Sequence, residues 1–142
     1  MIDFRVARGE CLRLPAPILA EAMTRRPAID RLVKKYVAVA YRSEIQGVVC
    51  NALHPVEQRV CRWLLVTHDK AASEFPMTQD FLAARLGVKR PTVSLVAASL
   101  QKAGLITYHR GMVRILDRAG LERSACDCFK IMKAVYAQIL ER

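Results

Sequence analysis

The chain has 142 residues, 53% of them apolar, and a net charge of +10. That length fits one domain or two small ones, and the apolar share excludes intrinsic disorder. No run approaches the roughly 18–20 uncharged apolar residues of a membrane helix, and Met1-Ile2-Asp3-Phe4-Arg5 opens without a basic n-region and apolar block, so the expectation is a soluble, cytoplasmic protein with no membrane partner.

The charge is unevenly spread. Residues 54–116 are net +5, against +4 for residues 1–53 and +1 for residues 117–142. A basic stretch of this kind favours an anionic partner, nucleic acid or an acidic surface. The five cysteines, Cys11, Cys50, Cys61, Cys126 and Cys128, are odd in number, and with no export signal they predict no disulfide framework. No C-x-x-C is present, and His54, His68 and His109 stand at no ligand spacing from the cysteines, so no metal and no cofactor is expected. Cys126-Asp127-Cys128 reads as two small residues on a helix, one of them buried. A thiol or metal sensor is the competing reading.

In chain order, residues 4–14 alternate apolar and polar in places around Gly9, which predicts a strand, a turn and a second strand. An isolated hairpin is marginal in water, so this segment reads as the edge of something larger. Pro15 and Pro17 end it, and Ile18, Leu19, Ala22 and Met23 then form one side of a short helix. After Pro27 comes the longest helical pattern, Ala28 to Leu53, broken by no proline. Its length, roughly 40 Å at 1.5 Å per residue, exceeds what one small domain covers. Ile29, Leu32, Val33, Tyr36, Val37, Ala40, Val48 and Val49 are therefore expected to pack on a second copy, with an intramolecular core helix as the alternative. The seam is imperfect, because Arg42, Ser43 and Glu44 interrupt it.

His54-Pro55 marks a boundary, since a residue before proline is pushed out of helical geometry. A helix is expected over Val56 to Asp69, with Val60, Cys61, Leu64 and Leu65 inward and Glu57, Arg59 and Arg62 in water. Ser73 to Pro76 is expected to be a loop. Residues 78–102 are the informative stretch. Thr78 is a suitable N-cap and Asp80 suits the positive end of the helix dipole. Phe81, Leu82 and Leu86 face inward, Gly87 supplies a left-handed turn, and Val88 plugs the corner. Pro91 opens the next helix, whose Val93, Val96, Ala97 and Leu100 are buried. This is a helix-turn-helix pattern, with a tri-helical core that binds no DNA as the alternative. Leu105 to Tyr108 and Met112 to Leu116, joined by His109-Arg110-Gly111, then predict a hairpin wing.

On the exposed side of the second helix stand Arg90, Pro91, Ser94, Leu95 and Ala98. Arg90 at its tip is placed to reach guanine O6 and N7. Lys89 and Thr92 are expected on phosphates, and Arg110 on a phosphate or in a minor groove. Leu95 suits a thymine methyl, with a lone exposed leucine as the alternative, and Thr78 completes the candidate DNA-binding set.

The order of parts resembles the cyclic-AMP receptor/fumarate-nitrate regulator (Crp/Fnr) family. The resemblance rests on residues 54–65 (HPVEQRVCRWLL), 78–88 (TQDFLAARLGV) with Arg90-Pro-Thr-Val93, residues 100–106 (LQKAGLI), and Ile115 to Glu122 followed by Cys126-Asp-Cys-Phe129. It implies a mainly α fold in three parts. These are a remnant of a sensor-barrel edge with a short helix over 1–26, a dimerisation helix over 27–53, and a winged helix-turn-helix domain over 54–142. It further implies a homodimer reading a palindromic site on double-stranded DNA, with RNA polymerase as a further partner. The residues that hold a cyclic nucleotide or an iron–sulfur cluster in such barrels are missing, so neither is expected. The acidic residue after the family's arginine and a second arginine four places later are here Pro91 and Leu95. Only Arg90 carries over, so the best-known operator of the family is not expected. An interaction protein that pairs with a full-length relative through Ala28 to Leu53 is the alternative function. No paired carboxylates, phosphate loop or Ser/His/Asp arrangement is visible, so no enzyme is expected.

Overall fold

The computed structural model describes residues 13–71 and 73–140. The paired strands expected over residues 4–14 fall outside them, apart from Arg13 and Leu14, which are exposed and irregular. Among the described residues, 49–129 form one compact unit, and 13–48 with 130–140 form the other.

The second unit is helical. α1 (Ala16–Arg25) starts behind Pro15 with a proline in its first turn, and buries no residue fully. Arg26, extended at φ −132°, ends it. α2 (Pro27–Leu53) runs without interruption for 27 residues. Its Asp30–Lys34 pair, 2.8 Å apart, adds a small i,i+4 contribution. Val39 is buried. The Ser43 hydroxyl lies 3.5 Å from the Tyr136 hydroxyl on α7 (Cys128–Leu140).

The other unit holds the main core. α3 (Val56–His68) follows Pro55 and buries Val60, Cys61, Leu64 and Leu65. Burial pushes the Cys61 thiol up to about 12, helped by the nearby Glu57 carboxylate, which marks it as an inert core residue. Two expectations for α3 are corrected. Glu57 is exposed, but Arg59 and Arg62 are buried. The Arg59 guanidinium donates to the Leu86 carbonyl at 2.9 Å and to Asn51 Oδ1 at 3.2 Å. Arg62 lies over the Trp63 ring, 5.4 Å from its centroid. A helix with both polar and apolar sides covered offers no periodicity by which to tell a buried arginine from a solvated one.

A third correction concerns Ser73 to Pro76. Glu74–Pro76 is a strand, β1, not a loop. It joins the hairpin β2 (Ile106–His109) and β3 (Met112–Ile115) in the order β1-β3-β2, both pairings antiparallel. Phe75 stands opposite Val113, both buried, and Glu74 pairs with Arg114 directly across at 3.1 Å. Three residues are too few for an alternating pattern to show in sequence.

α6 (Arg118–Ser124) is capped by Asp117, whose carboxylate accepts from the Gly120 N–H at 2.8 Å. Arg118 fastens it to the end of α3 through Asp69 at 2.7 Å and His68 Nδ1 at 2.7 Å. Gly120 is buried, and a Cβ there would strike the Asp117 carboxylate and lie 2.6 Å from Leu105 Cδ2. Gly120→Ala is therefore expected to destabilise this unit by about 1–3 kcal/mol, the usual cost of overpacking. A urea titration checks it, and an unchanged midpoint would contradict the close packing.

The last correction concerns the cysteines. Cys126 precedes α7 and Cys128 is its first residue, and both are buried. They come together with Cys50 and His54 from the end of α2, a grouping that sequence spacing does not reveal.

Candidate nucleic-acid interface

α4 (Gln79–Leu86) and α5 (Arg90–Lys102) are joined by a turn of three residues. The Thr78 hydroxyl accepts from the Phe81 N–H at 3.2 Å and so caps α4. Gly87, at φ 64° and ψ 36°, ends it in the left-handed conformation that favours glycine. The Val88 N–H then bonds the Ala83 carbonyl at 3.0 Å. Lys89 is extended, and Pro91 occupies the first turn of α5, where its missing N–H costs nothing. Leu82, Ala83 and Leu86 of α4 are buried with Val93, Ala97 and Leu100 of α5, and Phe81, Val88 and Val96 pack beside them.

That core leaves a definite set of side chains facing out. Arg90, Pro91, Ser94 and Leu95 line a shallow concavity of about 550 Å³. Leu95 is 74% exposed. Arg90 is loosely held, its Nε 3.6 Å from Asp80 Oδ1 with both side chains mostly in solvent, an arrangement worth little and easily given up. Lys89 is exposed, and Thr92 is half-buried. The Ser94 hydroxyl donates to Gln79 Oε1 at 2.5 Å, tying the start of α4 to α5. Sequence reasoning missed this role for Gln79 and Ser94, because it depends on how the two helices cross.

The wing is attached to the same frame at two points. The Tyr108 N–H donates to Gln101 Oε1 at 2.9 Å, and the Met77 N–H donates to the Gly111 carbonyl at 2.7 Å. The second bond brings Thr78 near the wing tip, where a Cβ built on Gly111 would lie 3.6 Å from the Thr78 methyl. Burial pushes the Tyr108 phenol up, against the Gln79 backbone and the Arg90 charge. At the tip, Arg110 and Gly111 have φ of 49° and 77°. Positive φ at both positions is the mark of a two-residue type I′ hairpin. An arginine in that region is uncommon and carries backbone strain. It holds the exposed Arg110 side chain at the outermost point of the hairpin.

α2 is the other element of interest. Leu32, Tyr36, Val37, Tyr41, Ile45, Val48, Val49 and Leu53 are exposed along it. Of the residues expected in a dimer seam, Leu32, Tyr36, Val37, Val48 and Val49 are thus open to solvent, and Ile29, Val33 and Ala40 are half-buried. Tyr41, 69% exposed, and Ile45 stand outside that expected set. With Val37 and Val48 they recur at intervals of four, four and three, the signature of one helical stripe. Among the described residues no helix is long and apolar enough to cross a membrane.

Residues 58–124 match the Crp-like helix-turn-helix domain family. No curated protein matches the chain. Among solved structures, FixK2 from Bradyrhizobium japonicum is similar with a TM-score of 0.71 at 17% identity, over 78% of this chain and 58% of that one. A putative transcriptional regulator of the Crp/Fnr family from Eubacterium rectale is similar with a TM-score of 0.56 at 22% identity, over 77% of this chain and 51% of that one. For the Crp/Fnr-family transcriptional regulator TTHA1359 of Thermus thermophilus the TM-score is 0.53 at 24% identity, over 79% of this chain and 56% of that one. The chain therefore spans little more than half the length of these structures. Residues 58–124 thus carry a Crp-like helix-turn-helix domain, and the fold of the chain is similar to that of these solved regulators.

Proposed function

We propose that the chain is a sequence-specific, DNA-binding transcription regulator that acts as a homodimer on a palindromic site. The observation that carries this reading is the outward set on α5 and the wing. Arg90, Pro91, Ser94 and Leu95 form one surface on a rigid core, and Arg110 tops the hairpin fastened beside them. Arg90 reads guanine through O6 and N7, and Leu95 meets a thymine methyl. Lys89, Thr92 and Arg110 contact phosphates, which set register and orientation without carrying sequence. Thr78 caps α4 beside the wing turn and keeps the two in register.

The exposed stripe on α2 supports the dimer. A contiguous apolar surface of this length is unusual on a monomer, and pairing it with a second copy repeats the recognition helix for two half-sites. In the division proposed, residues 27–53 are the pairing helix and 54–142 the DNA-binding domain.

Selection from randomised duplexes, combined with the solution mass from light scattering, tests the proposal. The expected result is an inverted repeat bound by a particle of twice the chain mass. A monomer indifferent to every duplex at low salt overturns it. A homodimer with no DNA affinity that co-purifies with a longer relative would instead favour an interaction protein.

A further inference from the structure

Three cysteines, Cys50, Cys126 and Cys128, form a small buried cluster separate from the aliphatic core. His54 stands one helical turn after Cys50 and faces the same group, as i and i+4 residues do. The thiol sulfurs of Cys50 and Cys126 are 3.5 Å apart, and the Cys128 sulfur is 3.6 Å from His54 Nδ1. All four potential ligand atoms lie within 4.8 Å of one another.

We propose that Cys50, His54, Cys126 and Cys128 form a structural Zn2+ site. Zinc with bonds of about 2.3 Å to sulfur and 2.0 Å to nitrogen has tetrahedral edges of about 3.8 Å (S···S) and 3.5 Å (S···N). Two edges of the cluster are already close to these lengths, and closing the rest needs a contraction of about 1 Å, within reach of small rotamer changes. Three thiols and one imidazole are a closed donor set, typical of structural zinc, and leave no open position for a reacting water.

Charge supplies an independent argument. On binding, each thiol gives its proton to solvent as the Zn–S bond forms, and imidazole binds neutral through a ring nitrogen. Zn2+ with three thiolates and a neutral imidazole is net −1. Arg62, only 6% exposed, has a buried Nε with no partner and no carboxylate paired with it among the described residues. Its guanidinium acts electrostatically on Cys50. A buried cation needs a compensating anion, and the zinc–thiolate centre provides one. The partly exposed His54 leaves the metal a way in. Once bound, it ties the last turn of α2 to the junction between α6 and α7.

The test uses the full chain, purified under reducing conditions, stripped with a chelator and titrated with Zn2+ against a chromophoric competitor. Expected are one equivalent per chain, the ligand-field bands of tetrahedral thiolate-bound Co2+ when cobalt replaces zinc, and a Tm about 10 °C higher or more in excess metal. Cys126→Ser, Cys128→Ser and His54→Ala should each weaken binding at least about 100-fold, while Cys61→Ala leaves it unchanged. Arg62→Met should keep the stoichiometry but lower affinity about 10–100-fold, as outer-shell changes do. The proposal is overturned if the reduced chain takes up under about a tenth of an equivalent. Iron in place of zinc in the isolated chain, or only a Cys50–Cys126 disulfide with no metal uptake, overturns it too. None of these readouts involves DNA, so the site stands or falls separately from the regulatory reading.

Discussion

Arg90→Ala is expected to flatten base preference at one position of each half-site while leaving the fold intact. A bidentate arginine–guanine pair is worth about 1–3 kcal/mol of discrimination, so preference at that position should fall roughly 5- to 150-fold. The side chain is mostly exposed and makes one loose ion pair, with Asp80 at 3.6 Å. Its removal therefore costs almost no stability, and Tm provides the control. Lys89→Ala should behave differently. Removing an ammonium from a phosphate weakens all duplexes about equally and reduces the slope of log affinity against log salt by about 1. Competition binding with single-base variants of the selected site separates the two patterns. If Arg90→Ala binds with unaltered preference, the readout lies elsewhere on the unit, and Leu95 and the wing become the surfaces to test.

The double variant Tyr41→Glu/Val48→Asp is expected to be a folded monomer with DNA affinity reduced by two decades or more. Both side chains are exposed in the single chain, Val48 at 71%, so charge there meets water and not a core. In a paired α2 the same carboxylates would face their symmetry mates, and each would lose hydration without gaining a partner. Every apolar side chain of the stripe that becomes buried contributes about 1.5–3 kcal/mol, which is why two changes suffice. The fall in DNA affinity follows from valency, because two linked reading heads bind far more tightly than one. Light scattering and circular dichroism check mass and helix content. A variant that remains dimeric would place the interface off Val37, Tyr41, Ile45 and Val48. A wild-type chain that is already monomeric would remove the palindrome from the reading.

The helix-turn-helix and its wing were legible because their signals are local. Thr78, Gly87 and Pro91 each specify a backbone state at one position, and each occupies the expected one. The length of α2 was legible for the same reason, since prolines bound it and none interrupts it. Candidate reading residues followed by subtraction. Once Val93, Ala97 and Leu100 face the core, Arg90 and Leu95 must face out.

What the tertiary structure alone decided depends on meetings between distant residues. β1 exists because Phe75 finds Val113 in the sheet, far along the chain. Arg59 and Arg62 are buried because other elements cover the polar side of α3, a fact that its own periodicity cannot encode. The Cys50 and Cys126 thiols meet across 76 residues, with His54 and Cys128 beside them. Backbone preference acts over a few neighbours and can be read from a string of letters. Proximity across the chain is set by the packing of whole elements, and only folding reveals it.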